Sequence, residues 1–446
     1  MSFDKLPHGW KFISLEDAME AIIDYRGKTP KKTKSGIPLV TAKIVKGGYI
    51  LEPFEFIAND NYDSWMVRGL PKIGDVVLTT EAPLGETAQL TSANVALAQR
   101  IVTLRGKKGL LDNDFLLCAL QSNFVRHQLE SRSSGSTVRG IKQSELRKVS
   151  LPVPPLTEQQ KIARILKSLS NKLVCNTQTN KTIEAMAQAI FKSWFVDFDP
   201  VKAKIRGEQP EGIDANTAAL FPDKLVESEL GLIPEGWAVQ TIKSLSEKIS
   251  KGTTPSKKDL GIATDEPSIR FLKVRDINDK GEINRDNLEF IPNSIHTTKL
   301  KRSILEKQDI LFSIAGTIGR VAIVDQDLDN INTNQAVSFI RLKDKEAYLA
   351  LVYMTLRDSR TQQKAIASVV QGVQANLSLA NIGDMEIIVP PEKVLKLWNK
   401  QYLSILKMIK NNFSQSRELS SLRDTLLPKL LSGEIELTNK EFTDES

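Results

Sequence analysis

Residues able to carry out a reaction are scarce in this chain. Its three histidines, His8, His127 and His296, are scattered, and with only Cys118 and Cys175 beside them they build no zinc site without unusual carboxylate ligation. The sequence holds no Gly-rich phosphate loop ending in Gly-Lys-Ser/Thr, no dinucleotide fingerprint and no His-Glu-x-x-His pair. It also lacks an Asx-Pro-Pro-aromatic loop of the kind that holds a base for amino-methylation, since both Pro-Pro pairs follow valine. Glu81 is a conceivable general base, but a lone carboxylate in a turn is more simply a solvated one. The chain therefore reads as a binder without catalytic residues or a metal site. It does carry positive charge in special loops. Arg26, Lys28, Lys31, Lys32 and Lys34 fall within nine positions of a Gly/Pro segment, Tyr25 to Lys34. Such loops suit phosphate oxygens, with Lys as a point charge and Arg able to fork onto guanine O6 and N7. A Gly-x-Thr-Pro kernel recurs at Gly252 to Pro255, flanked by Lys251, Lys257 and Lys258, with Lys273, Arg275 and Arg285 further along. Arg139 with Lys142, Arg68, and the group Lys299, Lys301 and Arg302 complete the candidates. One such loop could be an ordinary solvated charge run; two in matching places favour an anionic partner, as does the net charge of +7.

The elements that must position these loops come in two copies. LPHGW at 6–10 answers IPEGW at 233–237, RGKTPKK at 26–32 answers KGTTPSKK at 251–258, GDVVLTTEAPLG at 74–85 answers QDILFSIAGTIG at 308–319, and LPVPP at 151–155 answers IIVPP at 387–391. Alternating runs at 54–58, 75–80 and 100–104 predict strands in the first copy, as do 270–274, 309–314 and 336–340 in the second, and 114–130 has helical spacing. Mixed α/β domains are expected, each closed by prolines that favour extended chain.

Each copy then runs into a long amphipathic helix. From Thr157, which with Gln160 forms a capping-box pattern, the first carries Ile162, Leu169, Asn176, Ile183 and Ile190 at every seventh position, with Ile165, Leu166, Leu173, Met186 and Ala187 filling in. Adding 236 to each seventh position gives Trp398, Ile405, Asn412, Leu419 and Leu426 in the second helix. Two such stripes are most simply buried against each other. A pseudo-two-fold axis would lay the helices antiparallel and set the Asn176 and Asn412 side-chain amides face to face. The expected class is thus α+β, with two duplicated mixed α/β domains separated by an antiparallel two-helix coiled coil. Its parts are domain one at 1–155, a helix at 156–198, a polar connector at 199–230, domain two at 231–391, a second helix at 392–435 stopped by Gly433, and a disordered tail at 436–446.

With 41% apolar and 26% charged residues, no run of 18 apolar residues and no leader pattern, the composition is that of a soluble, cytoplasmic protein without a membrane partner. Its two cysteines, each in an apolar helical pattern, are expected as buried free thiols.

LPHGW and IPEGW, the Gly-x-Thr-Pro loops, LPVPPLTEQQKI and AIFKSWFVDFDPVKAK together resemble the DNA-specificity subunits of type I restriction-modification enzymes over essentially the whole chain. The second copy departs from that pattern, since VPPEKVLKLW lacks the Glu-Gln of the first. The resemblance implies target recognition domains that each read one half of a split, asymmetric duplex site. It implies helices that hold those domains apart and dock two methyltransferase subunits, and restriction/translocase subunits that join through the complex. The chain would then be non-catalytic and cofactor-free, with S-adenosylmethionine, ATP and Mg belonging to partner subunits. Two readers on a fixed spacer imply half-sites about one duplex turn, ~34 Å, apart. A free-standing DNA-binding regulator and a coiled-coil adaptor are the alternatives; a self-contained methyltransferase would need motifs that are missing.

Overall fold

A computed structural model describes residues 6–135, 138–369 and 376–437. The chain forms two compact units, one of residues 1–179 with 412–446 and one of residues 180–411. Much of the expected tail lies outside the described residues.

The first unit is built on a four-stranded antiparallel sheet in the order Met19–Asp24, Ile101–Gly106, Val76–Thr80, Leu84–Gln89. Val76 to Thr80 is buried throughout, as a central strand of Val, Leu and Thr should be. A second sheet, including Ile37–Val40 and Ala96–Leu97, covers one face through Leu39, Val40, Val77 and Ile101. The helical stretch expected at 114–130 is two helices, Asn113–Gln121 and Asn123–Ser131, broken where Ser122 Oγ accepts from Val125 N–H and caps the second.

The second unit repeats the sheet in the same order: Ser246–Lys251, Val337–Leu342, Ile310–Ser313, Val321–Ile323. In both units the segment after the Gly-Trp motif pairs with the strand before the Pro-Pro motif, Lys11 with Val153 and Ala238 with Val389. The stretch expected as a polar connector is folded instead. Asp199–Ile205 is a helix and Leu225–Ser228 with Gly231–Pro234 a hairpin, while Phe198, Val201 and Phe221 sit in the unit's core.

The long helices span Leu156–Phe195 and Glu392–Ser432, each about 60 Å at 1.5 Å per residue. Thr157 lies in the first turn of its helix, one residue past the start, so it is not the cap; Pro155 O accepts from Glu158 and Gln159 N–H. In the first unit Ile162 and Leu166 share a core with Leu426, Leu427 and Leu430, while Asn176 meets Asn412, so the helices run antiparallel. In the second, Asn180 Nδ2 donates to Ile409 O and Phe191 packs on Trp398, again antiparallel. Leu169, Ile183, Ile190, Ile405, Leu419 and Leu426 are half-buried along the seam, whereas Met186 is 57% exposed and lies off it.

The two asparagines do not pair amide to amide. Asn176, 3% exposed, donates through Nδ2 to Gln415 Oε1 at 2.9 Å, Ser416 Oγ at 3.2 Å and the Asn412 main-chain oxygen at 3.4 Å. The reason is geometric: a seam side chain enters the hole between four residues of the facing helix and not the position of its own equivalent.

Cys118 is buried as expected and Cys175 is exposed, contrary to expectation. Burial pushes the Cys118 thiol up to about 12. A maleimide reagent is therefore expected to label Cys175 in the native protein and Cys118 only after unfolding. Mass spectrometry of native-labelled peptides checks this; equal labelling of both would contradict the buried site. Among the described residues no helix is long and apolar enough to cross a membrane, and no His/Cys/Asp/Glu group could hold a metal ion.

Candidate nucleic-acid interface

Antiparallel pairing gathers the basic loops at one end of each central sheet. In the first unit Asp24 is opposite Val102, Ile101 opposite Thr79, and Thr80 opposite Leu84. The loop after Asp24, the turn after Thr80 and the segment before Ile101 therefore leave the sheet together. Gly140 bridges Glu81, and Ile141 N donates to Thr80 O at 3.0 Å, which brings Arg139 and Lys142 to the same end. The second unit has the same arrangement: Lys251 is opposite Ser338, Ser313 opposite Val337, Asn376 bridges Ala315, and Leu377 N donates to Ile314 O at 2.9 Å.

The candidate cations divide into engaged and available ones. Arg26 is engaged: its Nε and Nη2 lie 2.7 and 2.6 Å from Asp24 Oδ2, and Nη1 donates to Ile141 O at 2.6 Å. It ties two loops together and is not free to fork onto a base. Arg68 Nη1 does similar work, donating to the main-chain oxygens of Asp24 and Arg26 at 2.8 Å. Lys32 pairs with Glu55 at 2.8 Å, and its hydrogen bond holds that carboxyl below the usual carboxylate range. Lys273 and Arg275 share Glu289, each at 2.6 Å, and Lys273's hydrogen bond holds that carboxyl down likewise. Arg285 is engaged by Asp325 and Asp327. Lys28, Lys31, Lys34, Arg139, Lys142, Lys251 and Lys257 are exposed, with no side-chain partner among the described residues. Lys258 is exposed beside Asp259. Lys299 approaches Asp259 at 3.9 Å, while Lys301 and Arg302 are exposed. Glu81 pairs with Arg100 at 3.0 Å, which accounts for its place in the turn.

The two Gly-x-Thr-Pro loops share a kernel but part ways after the proline. The first continues into the short strand Lys32–Thr33; the second enters a helix, Lys257–Ile262, through a capping box in which Ser256 Oγ accepts from Asp259 N–H and Asp259 accepts from Ser256 N–H. Their glycines also serve different ends. Gly27 takes φ +88° with open space around it, whereas a Cβ on Gly252 would sit 2.0 Å from Thr333 O.

A polar pair that composition alone did not single out is common to both loops. Thr29 Oγ1 donates to Gln99 Oε1 at 2.7 Å, and Thr254 Oγ1 donates to Gln335 Oε1. Gln99 and Gln335 each stand two residues before a central strand and differ by the same 236 positions as the helix repeats, the signal that could have found them.

The family model for the type I restriction modification DNA specificity domain matches residues 7–185 and again 234–421. The chain is 29% identical over 388 residues to the type I restriction enzyme HindI specificity subunit of Haemophilus influenzae, covering 77% of this chain and 82% of that one. It is 26% identical over 439 residues to the MjaIX specificity subunit of Methanocaldococcus jannaschii, covering 97% and 94%. In fold it is similar to the crystal structure of a type I restriction-modification S subunit from M. genitalium, with TM-score 0.57, 14% identity and 98% of each chain covered. With two matches that together span most of its length, the chain belongs to the type I restriction modification DNA specificity family.

Proposed function

We propose that this chain is the sequence-specificity subunit of a type I restriction-modification complex, and that each unit reads one part of a split duplex DNA target with the loops at its sheet end. The carrying observation is the duplicated sheet end: four strand termini converge in the same order in both units, with available lysines on the emerging loops. Lysines there neutralise phosphates and fix the register of each unit, while side chains that reach the groove discriminate bases. The role is non-catalytic. Adenine methylation belongs to modification subunits, two in this reading, which bring S-adenosylmethionine; restriction subunits bring ATP- and Mg-dependent activity. The chain itself holds no cofactor, and the complex works in the cytoplasm.

The test is selection from a random duplex library by the full chain assembled with its modification subunit. Enrichment of a two-part sequence is expected; recovery of duplexes with no common sequence would sink the reading. Replacing Lys28, Lys31 and Lys34 together by Ala is expected to weaken binding to every duplex alike. It should also lower the slope of log affinity against log salt by about 0.9 for each phosphate no longer neutralised, about 2–3 in all. Lys32→Ala, whose ammonium already faces Glu55, should move the slope less. An unchanged slope in the triple variant would take that loop off the DNA surface.

A further inference from the structure

We propose that the two Thr–Gln pairs, Thr29–Gln99 and Thr254–Gln335, are the adenine-reading elements of their units, Gln touching the base edge and Thr positioning it. The inference rests on the reading that each unit recognises part of a DNA target. Three observations carry it. The pair is built twice, at the same place on the sheet end, although the loop after each Thr-Pro diverges into a strand in one unit and a helix in the other. Gln335 is exposed and Gln99 partly so, and the amide nitrogen of each has no partner among the described residues. Each nevertheless stands on a rigid platform, a parallel pairing of Leu97 with Val40 in one unit and of Thr333 with Leu272 in the other, braced by different side chains. Ahead of Gln99, Trp65 Nε1 donates to Leu97 O at 3.0 Å and Ala98 N to Val40 O at 3.0 Å. Ahead of Gln335, the fully buried Asn332 bonds Ser303 and His296, and Thr333 Oγ1 donates to Leu272 O at 3.0 Å. One shared main-chain support, braced by different side chains, thus presents the same surface side chain in both units.

The chemistry comes from the donor and acceptor count. A carboxamide oxygen has two lone pairs, and the Thr hydroxyl occupies one. The remaining lone pair and the free N–H match adenine N6–H and N7 in the major groove, the bidentate pairing by which Gln reads adenine. The proline after each Thr holds that Thr in extended backbone, so the hydroxyl fixes which way the amide faces.

The experiment is the same random-duplex selection, run on the full assembled complex with variants in one unit at a time. Gln335→Ala is expected to lower the preference for adenine at one position of one part of the target by about 5- to 150-fold. The other part should stay unchanged; Gln99→Ala should do the reverse. Thr254→Val should relax the same position as Gln335→Ala, and Thr254→Ser should restore it. Gln335→Glu, an acceptor that suits cytosine N4, should shift the selected base from adenine to cytosine, a gain that misfolding cannot imitate. Equal weakening for all sequences, or an unchanged selected sequence, overturns the inference and leaves the functional reading standing. If the unaltered complex selects no sequence, the functional reading fails and this inference with it.

Discussion

Arg341→Met is expected to destabilise the second unit by about 3–5 kcal/mol, the range found when one partner of a buried ion pair is removed. Arg341 donates to Asp309 with Nε at 3.0 Å and Nη2 at 2.8 Å, and Asp309 is wholly buried. Burial pushes the Asp309 carboxyl up, and the Arg341 fork and Glu306 N–H oppose it. Without the arginine, burial is opposed only by the Glu306 N–H and the Lys345 ammonium, so the carboxyl takes up a proton more readily. A folded pKa raised above the unfolded one contributes stability at low pH that is lost as pH rises through it. The variant should therefore lose more at neutral pH than in mild acid. Arg341→Met with Asp309→Leu should recover much of the loss, because an apolar replacement leaves no charge stranded. Urea unfolding followed by circular dichroism at two pH values checks both points; a single variant as stable as the parent would show the pair to be dispensable. The first unit has the same device, Arg105 gripping Asp75 at 2.8 and 2.7 Å.

Trp398→Ala should cost a similar amount, about 3–5 kcal/mol, by leaving a cavity. Trp398 is fully buried, with ring centroids of Phe195 at 5.4 Å, Tyr402 at 5.6 Å and Phe191 at 5.8 Å around it. Its indole N–H has no hydrogen-bond partner among the described residues, so Trp398→Phe gives up only packing and should cost clearly less. Thermal melts of the two variants decide it; equal losses would mean that ring size is not what the site needs.

The first unit secures the start of its helix differently. Glu158 and Gln159, absent from the second copy, turn inward. Trp10 Nε1 donates to Glu158 at 3.1 Å, while the fully buried Gln159 accepts from Asp112 N–H and donates to Leu110 O and Pro154 O. The second helix is anchored at its start by aromatic packing and by Asn399, which bonds Ala350 N–H and Glu346 O. The two starts thus dock by different chemistry, and Trp237 N–H, the counterpart of Trp10, has no hydrogen-bond partner among the described residues.

Periodicity and repetition make the architecture legible in the sequence. The heptads of Ile162 and Trp398, the Pro-Pro strands and the runs at 75–80 and 336–340 all depend on patterns local to the chain. The hidden features depend on partners distant in sequence. Arg26 and Lys31 look alike in the sequence, yet one is spent on Asp24 and Ile141 while the other faces solvent. Cys175 sits in a helical pattern that reads as apolar, but its position falls outside the seam face. The Arg105–Asp75 pair was illegible because a charged residue in a strand gives no sign of where its counter-charge is.

The first unit is closed by residues from both ends of the described chain. Leu6 shares a core with Leu426, Leu430 and Leu437, and a Cβ on Gly433, which has φ +71°, would meet Pro7 Cγ at 2.2 Å. The second unit is one uninterrupted segment. During synthesis the ribosome therefore delivers that segment whole while Ile162 and Leu166 still await the leucines that cover them. At a translation rate of ~5–20 residues per second the delay spans tens of seconds. The unit that begins first is the one completed last, and a nascent-chain chaperone would find its exposed apolar stripe there.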